Sequence, residues 1–593
     1  MEHDLQRDIT LDRCEDGVRF SRLLTRPPRN RNLRFEMTPR ERNHALVGAG
    51  SRRFLLVLLM SAVAAGSAEI VILPRADGEP IIGRAIANAA PGSVIRLRKG
   101  RYREYVVISK PLSLVGDEGA VIDPSEPFHA RWKIAPEFGK GVYRTAVERP
   151  PATLFLDGTI LAEVDTQRTE TAGVGSWYWK DLLAKGAPNT SFRYVRGLWL
   201  YRGDQAAVFV HLADNADPAA RSWSVVWTHE PIITLRQTHA ASIRGLTLAH
   251  GYEGAVVTDG CYRCSALQCK IGPWDMRGIA VENGASASLV EGNEVFRGSY
   301  EDWTPQTVVR DGRLEVDRDW YEIWQVHKIA GRFDRVGIEV TKSGLGNRVH
   351  ANRVHDVFDG IDLTEYPESL DASIDVQLDR ATEIWENLIE RTADSGIEVG
   401  GGAVELKIHH NTLRRTHGGL RYKLPRTGPV FIYRNVLAEG SPNTIWYSMD
   451  DSPAEGYVYH NTIVGGDAGL HYNGWQTHGI GARNWHYLNN LMITSGGAFY
   501  SRSSTIPVNF TWDYNVVTGD HRPYPDDPAR DTRSRYVEFV PLAPGFPPIP
   551  LPDSPAIDAG LDLSTYFHGN PLPGCEPGYF KGKAPDAGAF EIR

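Results

Sequence analysis

Glu339, Asp362 and Glu398 each stand two residues after the glycine of a Gly-Ile phrase: GIEV (337–340), GIDL (360–363) and GIEV (396–399). The next phrase of this kind, GLRY (419–422), puts Arg421 in the same slot and Lys423 two residues further on. Two carboxylates on either side of a glycosidic bond can hydrolyse it, one as acid and the other as nucleophile or base. A separation of roughly 5 Å implies retention at the sugar carbon, and roughly 6.5–9.5 Å implies inversion. Three carboxylates together could instead hold Ca²⁺, which takes several oxygen ligands. Arg421 or Lys423 would then be the base of a lyase acting on uronic-acid chains.

Alternation along a strand sends Val340, Leu363, Val399 and Tyr422 inward and the acids and Arg421 outward. A single outward acid is ordinary solvated surface. Three acids in one slot of a repeating phrase are different if the strands stack, because neighbouring strands lie about 4.8 Å apart. Like charges that close repel by several kcal/mol where water is partly excluded. A proton, a cation or a substrate must relieve them, and this is how catalytic carboxylates acquire different proton affinities.

The chain contains the repeat that would stack them. A polar residue, Asn, any residue and an aliphatic recur at Asn293, Asn352, Asn387, Asn411, Asn435, Asn461, Asn490 and Asn515. The gaps are 59, 35, 24, 24, 26, 29 and 25 residues, a base period near 24 with insertions in the first two. Eight or nine residues after most of these slots comes the Gly-aliphatic phrase, which also occurs as GIAV (278–281) and GLHY (469–472). Short β segments with glycine corners at this period, and no helix-length stretch between them, describe a solenoid of parallel strands. The outward column then reads Ala280, Glu339, Asp362, Glu398, Arg421, Trp446 and His471.

Asp362 and Glu398 are expected to be the catalytic pair, with Glu339 and Arg421 beside them. Lys423, Asp359, Asp394, His471 and Trp446 are expected to bind substrate. Residues 299–335 precede the Glu339 rung and carry Trp303, Trp320, Tyr321 and Trp324; residues 365–380 follow the Asp362 rung. Both insertions would rise beside the column, with Trp320 and Trp324 offering faces on which sugar rings stack. His417 and His471 lie near this site, whereas His409, His410 and His460 flank the asparagines and read as structural.

The 593 residues carry a formal net charge of −8, with 23% charged and 41% apolar residues. This gives no basic footprint for nucleic acid and enough apolar side chains for a long core. Residues 51–68, SRRFLLVLLMSAVAAGSA, show the charged, apolar and small-residue regions of a secretory signal, and the apolar run is too short to span a bilayer. Residues 1–68 are therefore expected to be a leader cleaved after Ala68, with Met37 as a candidate start and 1–36 spurious. Arg52-Arg53 faintly suggests twin-arginine export. An exported, periplasmic or extracellular monomer without a membrane span follows as the expectation. Cys261, Cys264 and Cys269 cluster in CYRCSALQC, and no second CxxC accompanies them, so a local disulfide or buried thiols are expected ahead of a metal site. Residues 126–232 lack the repeat phrases and alternate strands with turns, as an inserted β module such as a small sandwich would.

The asparagine and Gly-aliphatic phrases over most of residues 69–520 resemble the right-handed parallel β-helix of the pectate-lyase-like superfamily. The stretch EPIIGRAIANAAPGSVIRLRKGRYREYVVISKPLSLVG resembles that family's capping helix and first rungs, here 69–125. SPAIDAG (554–560) and APDAGAFE (584–591) resemble the closing phrases of secreted bacterial members, which makes 521–593 a C-terminal tail and 233–520 the main helix. The insert, from GVYR and LFLDG to VFVHL, is similar to that of β-helix glycoside hydrolases. In such proteins stacked turn asparagines form a structural hydrogen-bond ladder. The fold hosts hydrolases, lyases, epimerases and adhesins. The RTHGGLRYK stretch is similar to the His-Gly and Arg-x-Lys elements of polygalacturonases but runs them together, and the DPHD phrase of mannuronan epimerases is absent. The resemblance thus implies an all-β, carbohydrate-active protein. A glycoside hydrolase without cofactor is expected first. A Ca²⁺-dependent lyase with Glu339, Asp362 and Glu398 as ligands comes second, and a non-catalytic carbohydrate-binding or surface protein third.

Overall fold

In the computed structural model of the chain, the recurring asparagines form one column. From Asn293 to Asn515, each Nδ2 donates to Oδ1 of the next asparagine at 2.9–3.0 Å. The same Oδ1 accepts the backbone N–H of the preceding asparagine. Every member is buried, so the amides replace the water that the turn backbone would otherwise need. The residue before each asparagine, such as His410 (φ 54°) or His460 (φ 53°), turns the chain through the left-handed region. The description covers residues 69–75, 79–164, 197–212, 214–298, 307–310, 313–316, 335–363, 379–400, 403–423, 428–440, 445–448, 451–452, 455–465, 470–473, 481–494, 499–501, 508–519 and 531–592. The leader, Trp303, Trp320, Tyr321, Trp324 and most of the 365–380 insertion lie outside it.

Among the described residues, three parallel sheets of 14, 13 and 11 strands wrap one core. The chain visits them in turn, for example through Asp359–Leu363, Glu383–Trp385, Leu388–Thr392 and Ile397–Val399. This is the right-handed parallel β-helix that the repeat suggests. Val340, Leu363 and Val399 are inward and at most 1% exposed. The phrase glycines sit where rungs crowd. A Cβ on Gly360 would come 2.3 Å from the Gly396 carbonyl oxygen and 2.6 Å from Ile389 Cγ2, which no other residue tolerates without backbone movement.

The solenoid's first rungs carry a short helix, Ile82–Asn88, whose Ile82 and Ile86 enter the core. Buried Glu104 accepts the N–H groups of Ile81, Ile82 and Gly83 at its start. The helix thereby begins on a carboxylate that satisfies its otherwise orphaned donors. The described residues of the insert form two mainly antiparallel sheets, of four and five strands. Leu154, Leu156 and Val225 of one pack against Trp199, Val208 and Val210 of the other, a small sandwich. Repeat strands resume at Pro231–Arg236. At the far end, Leu563, Leu572 and Cys575 of the tail cover Tyr433 and Tyr459 on the outer face of the 14-stranded sheet. The two closing phrases clip each other there. Asp558 accepts the N–H groups of Lys583 and Ala584, and Asp586 accepts that of Asp558.

Cys261, Cys264, Cys269 and Cys575 are free, buried thiols. His460 is fully buried, and burial pushes its pKa down to about 3. His409 stacks between Trp385 and Tyr433 in an aromatic column. Both serve packing, as does His410, lowered to about 4 by burial and then by His409. No described helix is long and apolar enough to cross a membrane.

Candidate active site

The outward column forms in direct register: Ala280 with Glu339, Glu339 with Asp362, Asp362 with Glu398, Glu398 with Arg421, Arg421 with Trp446, and Trp446 with His471. Lys423 pairs with Ser448 one step along the same strands. The backbones of Lys423, Trp446 and His471 are described; their side chains are not. Trp320 and Trp324 lie outside the described residues.

The acids are outward but not bathed in water. Glu398 is 5% exposed, and Glu339 and Asp362 are half-buried. Glu398 Oε2 accepts the Ser395 hydroxyl at 2.8 Å and faces an Arg421 guanidinium nitrogen at 3.5 Å. Arg421 also stands 3.9 Å from Asp394 Oδ2, and His417 Nδ1 is 3.8 Å from Asp394 Oδ1. Asp359 Oδ1 accepts the Ser395 N–H at 2.8 Å. Asp359 and Asp394 therefore occupy different slots of the corner. Asp359 lies directly before its glycine and braces Ser395, while Asp394 lies one residue earlier and faces His417 and Arg421. Asp359, Asp394 and His417 are all buried, as is Glu398.

Glu339 is held from the other side by a residue the sequence reading passed over. Arg277 donates to Glu253 Oε1 and to Glu282 Oε2, both at 2.7 Å, and also to Glu339 Oε2. Burial pushes this guanidinium down, but Glu339, Glu253 and Glu282 more than offset that, and its pKa is raised. Burial raises the Glu253 carboxyl; Arg277 opposes this, and Glu282 and Glu339 add to it. Ser395 was also passed over. The signal for both is their position: Arg277, Asp359 and Ser395 each stand immediately before a phrase glycine.

Arg277→Met is expected to cost about 3 kcal/mol of stability near neutral pH, because three carboxylates lose their shared cation. A carboxyl whose pKa is raised by folding burdens the fold above that pKa and relieves it as protons bind. The deficit should therefore shrink as the pH falls toward about 4. Denaturant melts of both proteins across pH check this, and a deficit independent of pH would contradict it.

Arg277 occupies Glu339, Arg421 faces Glu398, and a divalent ion among the three column acids would meet both guanidinium groups. Among the described residues no three His, Cys, Asp or Glu side chains converge as a metal-holding group. The three carboxylates of the column thus stand between two fixed cations, Arg277 at Glu339 and Arg421 at Glu398.

The right handed beta helix region family model matches residues 231–427, the central rungs that carry the whole acid column. Among curated proteins none matches the chain. Similar solved structures include a complex of XylC with xylose, at 14% identity and a TM-score of 0.41, covering 76% of this chain and 75% of that one. A glycoside hydrolase aligns at 10% identity and a TM-score of 0.41, over 79% and 95% of the two chains. The pectate lyase Pel9A aligns at 14% identity and a TM-score of 0.35, over 89% and 97%. The chain's own strand pairing makes it a parallel β-helix, with an acidic column in register across its central rungs.

Proposed function

We propose that this chain is an exported carbohydrate-active enzyme, a glycoside hydrolase that cleaves with Asp362 and Glu398. The observation carrying this reading is the direct pairing of Asp362 with Glu398 on adjacent strands. Adjacent strands hold equivalent side chains about 4.8 Å apart, close to the spacing of retaining enzymes. Glu398, oriented by Ser395 and Arg421, takes the part of nucleophile; Asp362 takes that of acid. Glu339 and Arg421 supply fixed charge on either side of the pair, and Lys423, Trp446 and His471, on the strands that follow, are the further residues assigned to saccharide binding. Export rests on the signal pattern of residues 51–68.

The test is a panel of poly- and oligosaccharides given to the mature protein with and without chelator. New reducing ends with retained anomeric configuration, unaffected by chelator, are expected. Ultraviolet absorbance of unsaturated uronate that chelator abolishes would replace this reading with the lyase. Tight saccharide binding without any product would replace it with the non-catalytic protein.

A further inference from the structure

The outward column changes character just above Glu339. Continued toward the N-terminus it passes through Ala280, Val256 and Thr234. Ala280 and Val256 face outward, yet they are 0% and 3% exposed. The entire strand Gly251–Thr258 is buried. A partly open acidic column thus becomes a covered one at Ala280 and Val256, and is partly open again only at Thr234.

Two features lie over this end. Arg277 bonds to Glu282 on its own strand and to Glu339 on the next, so its side chain spans the segment holding Ala280. The inserted sandwich is seated at the same corner of the solenoid. Its Ala152, Phe155, Ile160 and Val226 form one apolar cluster with Tyr252 and Met276 of the 11-stranded sheet. His229 stacks edge-on against Tyr252 with centroids 4.4 Å apart, and His250 Nε2 lies 3.3 Å from the Gly158 carbonyl oxygen. Met276 in turn touches the guanidinium of Arg335, whose carbonyl accepts the N–H groups of Phe358 and Asp359. The module therefore rests on the rungs immediately before the acids, by contacts that continue into the site.

We infer that the inserted module and the Arg277 cluster close the acid column at its N-terminal end, so that the enzyme takes the end of a saccharide chain and releases short products. The inference rests on the hydrolase reading. Cleavage inside a polymer needs an open path on both sides of the scissile bond. Ala280 is two rungs from Asp362, about 10 Å at the strand spacing, which leaves room for only a short run of sugar units before the wall.

The experiment compares soluble polysaccharides and their oligosaccharides with the same polysaccharides dyed and cross-linked, in which only internal cleavage frees dye. Mono- or disaccharide as the first product, unchanged viscosity and no dye release are expected. Early dye release or a rapid fall in viscosity would overturn chain-end action and leave the hydrolase reading standing. No new reducing ends on any substrate would sink the hydrolase reading and this inference with it. Phe155→Ala, which thins the contact with Tyr252 and Met276 without touching the acids, is expected to raise the share of longer products; an unchanged product ratio in a folded variant would count against the wall.

Discussion

Glu398→Gln is expected to lower kcat/KM by about three orders of magnitude, roughly 4 kcal/mol of transition-state stabilisation. The substitution keeps the side chain's length and its place beside Ser395, so the fold survives, but an amide can neither attack a sugar carbon nor take a proton from water. Arg421 loses the carboxylate it faces at 3.5 Å, which costs about 1–3 kcal/mol for a group this deep. A solenoid core of Ile, Val and Leu reaching from Ile72 to Val517 absorbs that loss. Kinetics on the best panel substrate, with a thermal melt of the same preparation, separate the two effects. Asp362→Asn should fall as far, and the double variant should be little worse than either single one, because the pair acts as a unit. A folded Glu398→Gln protein with wild-type turnover would remove the carboxylate pair from the mechanism.

Asn411→Ala, in the middle of the ladder, is expected to destabilise the fold by about 3–5 kcal/mol. The side chain makes four hydrogen bonds. Its Oδ1 accepts Nδ2 and the backbone N–H of Asn387, and its Nδ2 donates to the Ile384 carbonyl and to Asn435 Oδ1. All of these groups are buried, and alanine leaves their partners without water to replace it. Because each rung contacts mainly its neighbours, the damage should centre on the rungs of Asn387 and Asn435. The rung of Asn387 carries Glu398, and the rung of Asn411 itself carries Arg421. Hydrogen exchange should show loss of protection there first, and equilibrium unfolding should lose cooperativity. A melt within about 0.5 kcal/mol of wild type, the range of ordinary surface substitutions, would mean that the ladder is not a structural element.

The two predictions concern different layers, and the layers were unequally legible. The ladder needed only the recurrence of asparagine at a period near 24, because a stacked rung forces the same turn residue to the same place each time. The register of the acid column was legible for the same reason: Glu339, Asp362 and Glu398 share a slot, and parallel pairing converts a shared slot into a shared column. The sandwich insert was recognisable as the stretch where the repeat phrases stop.

Other features belonged to no repeating slot. Arg277 reads as one charged residue among many before a Gly-Ile phrase, and its bridge to Glu253, Glu282 and Glu339 crosses strands from three different rungs. Ser395 looks like a turn residue, and only its hydroxyl's distance from Glu398 makes it part of the site. Asp359 and Asp394 look equivalent in the sequence, yet a one-residue offset sends one to Ser395 and the other to His417 and Arg421.

By itself the sequence determined the solenoid, its period, the direction each strand residue faces and the order of residues down each column, because these follow from alternation and translation along one axis. Only the tertiary structure decided which carboxylates share a cation, how deeply Glu398 is buried and where the insert docks. Those depend on side chains that reach across rungs and on a module that folds back against the corner it left, and no spacing along the chain encodes such distances.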